Sequence, residues 1–439
     1  MSNNFYLEQL QLKNYRCFED INLQFQPGIN VILGNNGAGK TSILGGISIA
    51  LGTWFRGIPN VDGRTIQNEE LRLVRKKKGD LVVFDLAGEC VVTATGVVLG
   101  NEDVKWERSR FEGGTTHRNA IEMIELANSV NHDVAQGKDV VLPVIAYYGT
   151  GRLWGERRFG VVKKSKSEAP IEKTGRYLGY LSALDPASNE KLLKIWISRL
   201  AEASFHEGKI YKSLTVVYDV ITNCVEGAVR TFWDPRELDI VIEFSNGTQI
   251  PLYLMSDGQR NICATVGDIA MRCIQLNPHL QGEAPSLTPG VVLIDEVDLH
   301  LHPRWQKVIL ASLENNFPKI QFIVTTHSPF IVQSLNNKQV LIIDEAKVEV
   351  VNVTEGMGLE DTSEQILKVE NAIRSDSFIH TVEIGKKMFE LQDELSKYEA
   401  GSNEYFEITE KIKKLRNQVS KENAYYSNNP IVTAYLLGM

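Results

Sequence analysis

Residues 29–51 read INVILGNNGAGKTSILGGISIAL. The apolar run Ile29–Leu33 has the length of a buried strand and ends on Gly34, where a glycine-rich stretch begins. From Lys40 to about Leu51 the residues suit a helix. Between strand and helix, residues 34–41 match the phosphate-binding pattern G-x-x-x-x-G-K-[ST] in full. The glycines let backbone N–H groups turn inward around phosphates, Lys40 reaches the β- and γ-phosphates, and the Thr41 hydroxyl is placed on Mg²⁺. Asn35, Asn36, Gly37, Ala38, Gly39, Lys40, Thr41 and Ser42 are therefore the candidate cradle for ATP. A chance glycine loop can meet the same pattern, but the strand before and the helix after argue against it.

Three further stretches extend that reading. Val291–Ile294 is an apolar strand that ends in Asp295 and Glu296, and charges at the tip of a buried strand are costly unless they bind something. Asp295 suits a Mg²⁺-side carboxylate, and Glu296 suits the general base that polarises an attacking water. Ser256 with Gln259 three residues later is a capping box, which marks the start of an amphipathic helix whatever the function. A capped helix amino terminus with Gly258 beside it is also a place for a γ-phosphate, so Ser256, Gly258 and Gln259 join the candidate site. Finally, the run Thr325-Thr326-His327-Ser328-Pro329 follows another buried strand. His327 is the candidate γ-phosphate sensor there; a lone histidine is more often a packed or solvated side chain.

Strands alternating with helices imply an α/β fold, a largely parallel sheet with helices packed on it. Runs between Asp80 and Phe111, separated by Gly and Asn turns, imply an added antiparallel β part beside the nucleotide. Helical periodicity over about Ser182 to Val229 implies a helical insertion. Asn246-Gly247 between two apolar runs implies a hairpin turn. A helix is expected over about Pro303 to Asn315, and a helical hairpin from about Ser375 to Lys421. In domain terms the expectation is an N-lobe over 1–160, a helical insertion and hairpin over 161–250, a C-lobe over 251–350 and a carboxy-terminal helical docking or assembly region over 351–439.

The net charge of −8 argues against bulk coating of nucleic acid, which needs a broad basic surface. Local basic runs at Arg72–Lys78 and Arg157–Lys166 are candidate DNA phosphate contacts, with a solvated loop face as the other reading of each. No apolar stretch approaches the roughly 20 residues a membrane helix needs, and the amino terminus lacks a secretory pattern, so a cytoplasmic location and no membrane partner are expected. Cys17, Cys90, Cys224, Cys263 and Cys273 have no metal-type spacing and read as reduced thiols.

The order of these motifs, phosphate loop, long insertion, MSDGQ, LIDE strand and TTHSP, resembles the ABC-type ATPase heads of the RecF, SMC and OLD group. Within that group, LMSDGQRNICATVGDIAMRCIQLNPHL and YYGTGRLW are most similar to the PtuA-type ATPases of the Septu anti-phage system and their retron-associated relatives. The resemblance implies an ABC-type P-loop head that hydrolyses ATP with Mg²⁺ and pairs with itself head to tail or in a larger homo-oligomer. In that pairing Ser256 and Gly258 of one copy close on the ATP held by the other. It also implies a separately encoded HNH-type nuclease as partner. Three departures stand out. Asp257 occupies the usual signature glycine position, and no glutamine ends the VIAYY strand, leaving Tyr148, Gly149 and Arg152 as substitutes for the Q-loop residue; His302 stands where transporter ATPases carry the D-loop aspartate. The alternative function is a RecF-like repair or maintenance ATPase acting on duplex DNA without a dedicated nuclease. A self-contained OLD-type nuclease is not expected, since Asp344-Glu345 lacks a following DxD partner.

Overall fold

The structure is a computed structural model; it describes residues 4–78, 81–111, 113–153, 175–186, 190–335, 339–344, 347–352, 376–398 and 402–422. The chain divides into two compact units, residues 1–356 and 357–439.

The first unit starts with β1 (Phe5–Tyr15) and β2 (Phe18–Gln24), an antiparallel pair whose alternating residues are buried. Then come β3 (Ile29–Gly34) and α1 (Lys40–Leu51), followed by β4 (Leu73–Lys78) and β5 (Leu81–Leu86). β6 (Cys90–Val98) and β7 (Asn101–Arg110) join β1 and β2 in a four-stranded antiparallel sheet of order β2-β1-β6-β7. β4 and β5 pair only with each other. The LVVFDL run, which the sequence assigns to the flanking sheet, therefore belongs to a separate ribbon: β5 exposes Leu81, Val82, Phe84 and Leu86 and has no apolar face to bury on that sheet.

Beyond α2 (Ile121–Ala135) and β8 (Val144–Tyr148) lie the helices α3 (Glu190–Glu207) and α4 (Lys212–Cys224). A three-stranded antiparallel sheet follows, β9 (Ala228–Asp234), β10 (Asp239–Phe244) and β11 (Gln249–Pro251), with Asn246-Gly247 at the turn and Gly247 at φ +80°. α5 (Asp257–Leu276) and the short α6 (Ala284–Leu287) lead into β12 (Gly290–Ile294). The helix expected over 303–315 is broken in two, α7 (Pro303–Gln306) and α8 (Ile309–Asn316). β13 (Ile320–Thr325), α9 (Pro329–Gln333), β14 (Gln339–Asp344) and β15 (Lys347–Asn352) complete the unit.

The central sheet has the order β15-β14-β3-β13-β12-β8, parallel throughout except for the β14–β15 pair. β3, β8, β12 and β13 are buried almost end to end, as parallel strands covered on both faces must be. Gln321 of β13 ties the two large sheets together: its side chain accepts from Leu7 N–H and donates to Leu7 C=O, both at 2.8 Å, in the interior. α1 is fixed at its far end as well. Trp106 and Arg108 of β7 donate to the terminal carbonyls of Ala50 and Ile49 at 2.9 and 3.1 Å, so a cation sits at the helix carboxy terminus, where the backbone dipole favours it. Burial, with Arg56 nearby, lowers the Arg108 pKa to about 10, which leaves it protonated at neutral pH.

The second unit is a hairpin of α10 (Asp376–Leu395) and α11 (Asn403–Glu422). Ile384, Met388, Ile408 and Ile412 bury one another, with Leu391, Leu395 and Leu415 packed alongside. The apolar stripes, which the sequence alone leaves equally open to docking or to mutual burial, are thus turned toward each other; the Val419 side chain lies outside the described residues.

Candidate nucleotide site

β3, β13 and β12 are neighbours in one parallel sheet, so their carboxy-terminal ends deliver the phosphate loop, the threonine–histidine run and the acidic pair to one edge. Gly39 precedes α1 in left-handed backbone, φ +98°, and a Cβ there would strike the Phe18 ring and lie 2.8 Å from Cys17 Sγ. Only glycine suits both demands. Lys40, 7% exposed, donates from Nζ to the carbonyls of Gly34 at 2.8 Å and Asn35 at 3.1 Å, folding back over its own loop. Burial lowers its pKa against the pull of Asp295, Glu296 and Asp298. Asn35, Asn36 and Gly37 are exposed at the loop crest, Ala38 and Ser42 are half-buried, and Thr41 is exposed at the start of the helix.

Thr41 Oγ1 donates to Asp295 Oδ2 at 2.8 Å, joining the loop to the end of β12. Asp295 is 2% exposed, and its other oxygen accepts from Thr325 Oγ1 at 2.6 Å. The same hydroxyl accepts the Glu296 N–H at 2.7 Å. Glu296 itself has φ +47°, an uncommon setting for a residue with a side chain, with a cost of order 1–3 kcal/mol. Thr325 is the residue that holds it there. The sequence motif draws attention to its neighbour His327 and not to Thr325; the signal for Thr325 is a hydroxyl at the tip of the strand next to the acidic one. Thr326 Oγ1 donates to Asp298 Oδ1 at 2.5 Å, and Ser328, which caps α9, donates to Gln306 Oε1 at 2.6 Å.

His327 is half-buried at the same edge. Burial and then Lys40 hold its pKa below the ordinary imidazole range, over the opposing pull of Asp298, Glu296 and Asp295, so the ring is uncharged at neutral pH. Lys40, Thr41, Asp295, Glu296 and His327 are therefore brought together. Ser256, Gly258 and Gln259 are not: among the described residues no hydrogen bond joins them to the phosphate loop. Ser256 instead caps α5, accepting from Gln259 N–H, while the Gln259 side chain returns to Ser256. Gly258 is buried, and a Cβ on it would collide with the His300 carbonyl oxygen, so it fits this helix start against the segment after Glu296.

One sequence expectation changes. Tyr148 is no Q-loop substitute: its ring is 2% exposed and its hydroxyl donates inward to Asp268 Oδ2 at 2.6 Å, because Arg272 and Asp268 on α5 form a buried pair that needs another donor. Gly149 N–H donates to Pro186 C=O at 3.0 Å, and the Arg152 side chain lies outside the described residues. His302 is exposed and caps α7 through Nδ1, which accepts from Arg304 N–H at 3.3 Å. The basic run Arg157–Lys166 also lies outside the described residues.

A parallel sheet with a glycine loop, a lysine and a threonine–aspartate pair at its carboxyl edge defines a P-loop ATPase head. Residues 29–333, from the first residue of β3 to the last of α9, match the family model described as "AAA domain, putative AbiEii toxin, Type IV TA system", and the chain belongs to that family. It is an ATPase. Among curated relatives it is similar to the Retron Vc95 probable ATPase of Vibrio cholerae serotype O1 biovar El Tor, 27% identical over 393 residues, covering 77% of this chain and 73% of that one. The Retron Ec83 probable ATPase of Escherichia coli is 24% identical over 397 residues, covering 76% and 70%. The Septu protein PtuA of Bacillus thuringiensis is 22% identical over 405 residues and the match spans 90% and 92% of the two chains. Among the described residues no helix is long and apolar enough to cross a membrane.

Proposed function

We propose that the chain is the ATP-gated regulatory subunit of an anti-phage defence complex, closing head to tail on a second copy of itself around ATP and Mg²⁺ and controlling a separately encoded HNH-type nuclease. The defence context is supported by its similarity to retron and Septu ATPases. The observation that carries the gating idea is the split of the site. The loop, the acidic pair and His327 share one edge of the sheet, whereas the capped amino terminus of α5 keeps Ser256 and Asp257 exposed, and Ser256 closes its hydrogen bonds on Gln259 of its own helix. A second copy related by a twofold axis supplies that helix end to the opposite loop.

The residues fit a divalent ion. Thr41 Oγ1 and Asp295 Oδ2 are hard oxygen donors already 2.8 Å apart, and a P-loop threonine with a strand-end aspartate is the oxygen set that Mg²⁺ takes beside phosphate. When bound, the ion neutralises charge on the β- and γ-phosphates. Lys40 exchanges its carbonyl partners for phosphate oxygens, and the loop N–H groups orient the chain of phosphates. Glu296 accepts a proton from the attacking water as the water oxygen bonds to the γ-phosphorus and ADP leaves with the bonding pair. His327, uncharged beforehand, donates a hydrogen bond to the γ-phosphate. Nucleotide that binds only the closed dimer stabilises closure, and hydrolysis releases it.

Lys40→Ala is expected to abolish ATP binding, and Glu296→Gln to keep it while slowing phosphate release by about 10²-fold or more. Normal turnover in Glu296→Gln removes Glu296 from the role of base. Mixing Lys40→Ala with Ser256→Arg protein tests the shared site: in the mixed dimer one site carries both lesions and the other neither, so part of the activity returns. No recovery at any ratio counts against the shared site. Co-purification with an HNH protein encoded beside it tests the partner.

A further inference from the structure

The basic run Arg72–Lys78 has no part in the nucleotide site, and the fold turns it into something more specific than a charged loop. It forms β4, paired with β5 in a two-stranded ribbon whose register sets Leu73 opposite Leu86, Arg75 opposite Phe84 and Lys77 opposite Val82. Directly opposed residues share a face, so one side of the ribbon carries a column with Arg75 and Lys77 beside a column of Leu86, Phe84 and Val82. All of these side chains are exposed, Phe84 to 62%. Lys76 points to the other face, where it pairs with Asp85 at 3.2 Å; no ion pair takes up Arg75 or Lys77 among the described residues. In a chain of net charge −8, this face is cationic.

An isolated hairpin is marginal in water, so the ribbon needs a root. It has one: Arg72 N–H donates to Asn14 C=O, Ala87 N–H to Arg72 C=O and Arg16 N–H to Glu70 C=O. Beneath them Glu70, 2% exposed, gathers Tyr15, Arg16 and Arg64, at 3.0, 2.9 and 2.7 Å. Arg64 in turn donates to Ser48 of α1. The ribbon is thus a rooted projection.

We infer that this face of the ribbon binds single-stranded nucleic acid, Arg75 and Lys77 on successive phosphates and Phe84 stacked on an unpaired base. Cations tracking a backbone beside an aromatic platform is the chemistry that unpaired strands require, and a duplex offers no open base face to Phe84. A protein partner fits less well, because lysine is depleted from protein interfaces and here Lys77 stands directly opposite Val82 in the apolar column. The lysines also have a plainer use, guarding an exposed edge against aggregation, and that use predicts no strand binding. The inference is independent of the gating proposal, since neither Arg75, Lys77 nor Phe84 touches the nucleotide site.

The test is fluorescence anisotropy of the full chain with a labelled mixed-sequence oligonucleotide, single-stranded and as a duplex, across a salt series. The wild-type chain should prefer the single strand. Arg75→Glu with Lys77→Glu should abolish binding; the milder Arg75→Gln with Lys77→Gln should flatten the logarithmic salt slope by roughly one for each phosphate left without its cation. Phe84→Ala should weaken the strand on the order of tenfold and leave duplex binding alone. All variants should keep wild-type ATP turnover, which shows them folded and separates this result from any failure of the gating model. Wild-type strand affinity in the double variants, equal affinity for duplex, or a change of oligomeric state in place of a change in strand binding would each overturn the inference.

Discussion

Thr325 does more for the candidate site than its size suggests. One hydroxyl donates to the Asp295 carboxylate and accepts from the Glu296 N–H, orienting both acids and holding Glu296 in left-handed backbone. Thr325→Val keeps the shape and deletes both bonds. Since hydrogen bonds to charged groups are worth about 1.5–3 kcal/mol, turnover should fall roughly tenfold to a hundredfold while ATP affinity changes little. Equal loss in both measurements would assign Thr325 to binding. Glu70 is the other residue whose surroundings dictate its chemistry. Burial pushes its carboxyl up, but Arg64, the Gln67 N–H, Arg16 and Tyr15 outweigh it and hold the pKa below the usual range. A depressed folded-state value stabilises the fold above the ordinary carboxylate pKa, about 4.3, and that contribution is lost as pH falls through the folded value. Glu70→Gln should therefore cost stability at neutral pH, roughly 3 kcal/mol by analogy with broken buried pairs, and flatten the decline on acidification. Denaturant midpoints at pH 7 and at stepwise lower pH measure both; parallel wild-type and variant profiles would refute the assignment.

At the scale of elements, α5 joins two functions. Its amino terminus carries the capped Ser256, and farther along the helix, Asp268 and Arg272 bind each other at 2.7 Å in full burial and take the Tyr148 hydroxyl at the end of β8. Tyr148 C=O accepts from Asp295 N–H at 2.8 Å, so the helix is fastened to the strand that abuts the acidic pair. Arg272 also donates to the carbonyls of Gly179 and Leu181. Removing one partner of a buried pair leaves the other charge unpaired, so Arg272→Met should destabilise by about 3–5 kcal/mol. Tyr148→Phe removes one donor to the Asp268 carboxylate but leaves the two charges paired, so it should cost less, about 1.5–3 kcal/mol. Chemical denaturation of the two variants gives the comparison, and similar small losses would mean that the interior rearranges around the pair.

For the whole molecule, the family match ends at α9, and the hairpin of α10 and α11 belongs to a separate unit. Its apolar stripes are already buried in each other, so an assembly role rests on what stays outside, such as Phe389 and Phe406. A chain ending at Gly356 should keep its fold and its ATP binding, because the phosphate loop, the acidic pair and His327 all lie in the first unit. If the hairpin is the docking or assembly element, that chain loses its higher assembly or its partner in sedimentation and co-purification. Retention of both would leave the hairpin without that role.

Much of this is legible in the sequence because it is local. The phosphate loop, the helix Lys40–Leu51, the capping box that opens α5 and the turn at Asn246-Gly247 depend on neighbours within a few residues, and each stands where its pattern puts it. α2 offers less, since its buried stripe is only Met123, Ala127 and Val130 among polar residues. What no local pattern carries are pairings across long stretches of chain: Thr41 with Asp295, Thr325 with Asp295 and Glu296, Tyr148 with Asp268, and Arg75 beside Phe84. Strand order in the central sheet and register in the ribbon bring these side chains together, and both are settled by which faces are buried against distant elements, so only the tertiary structure decided them.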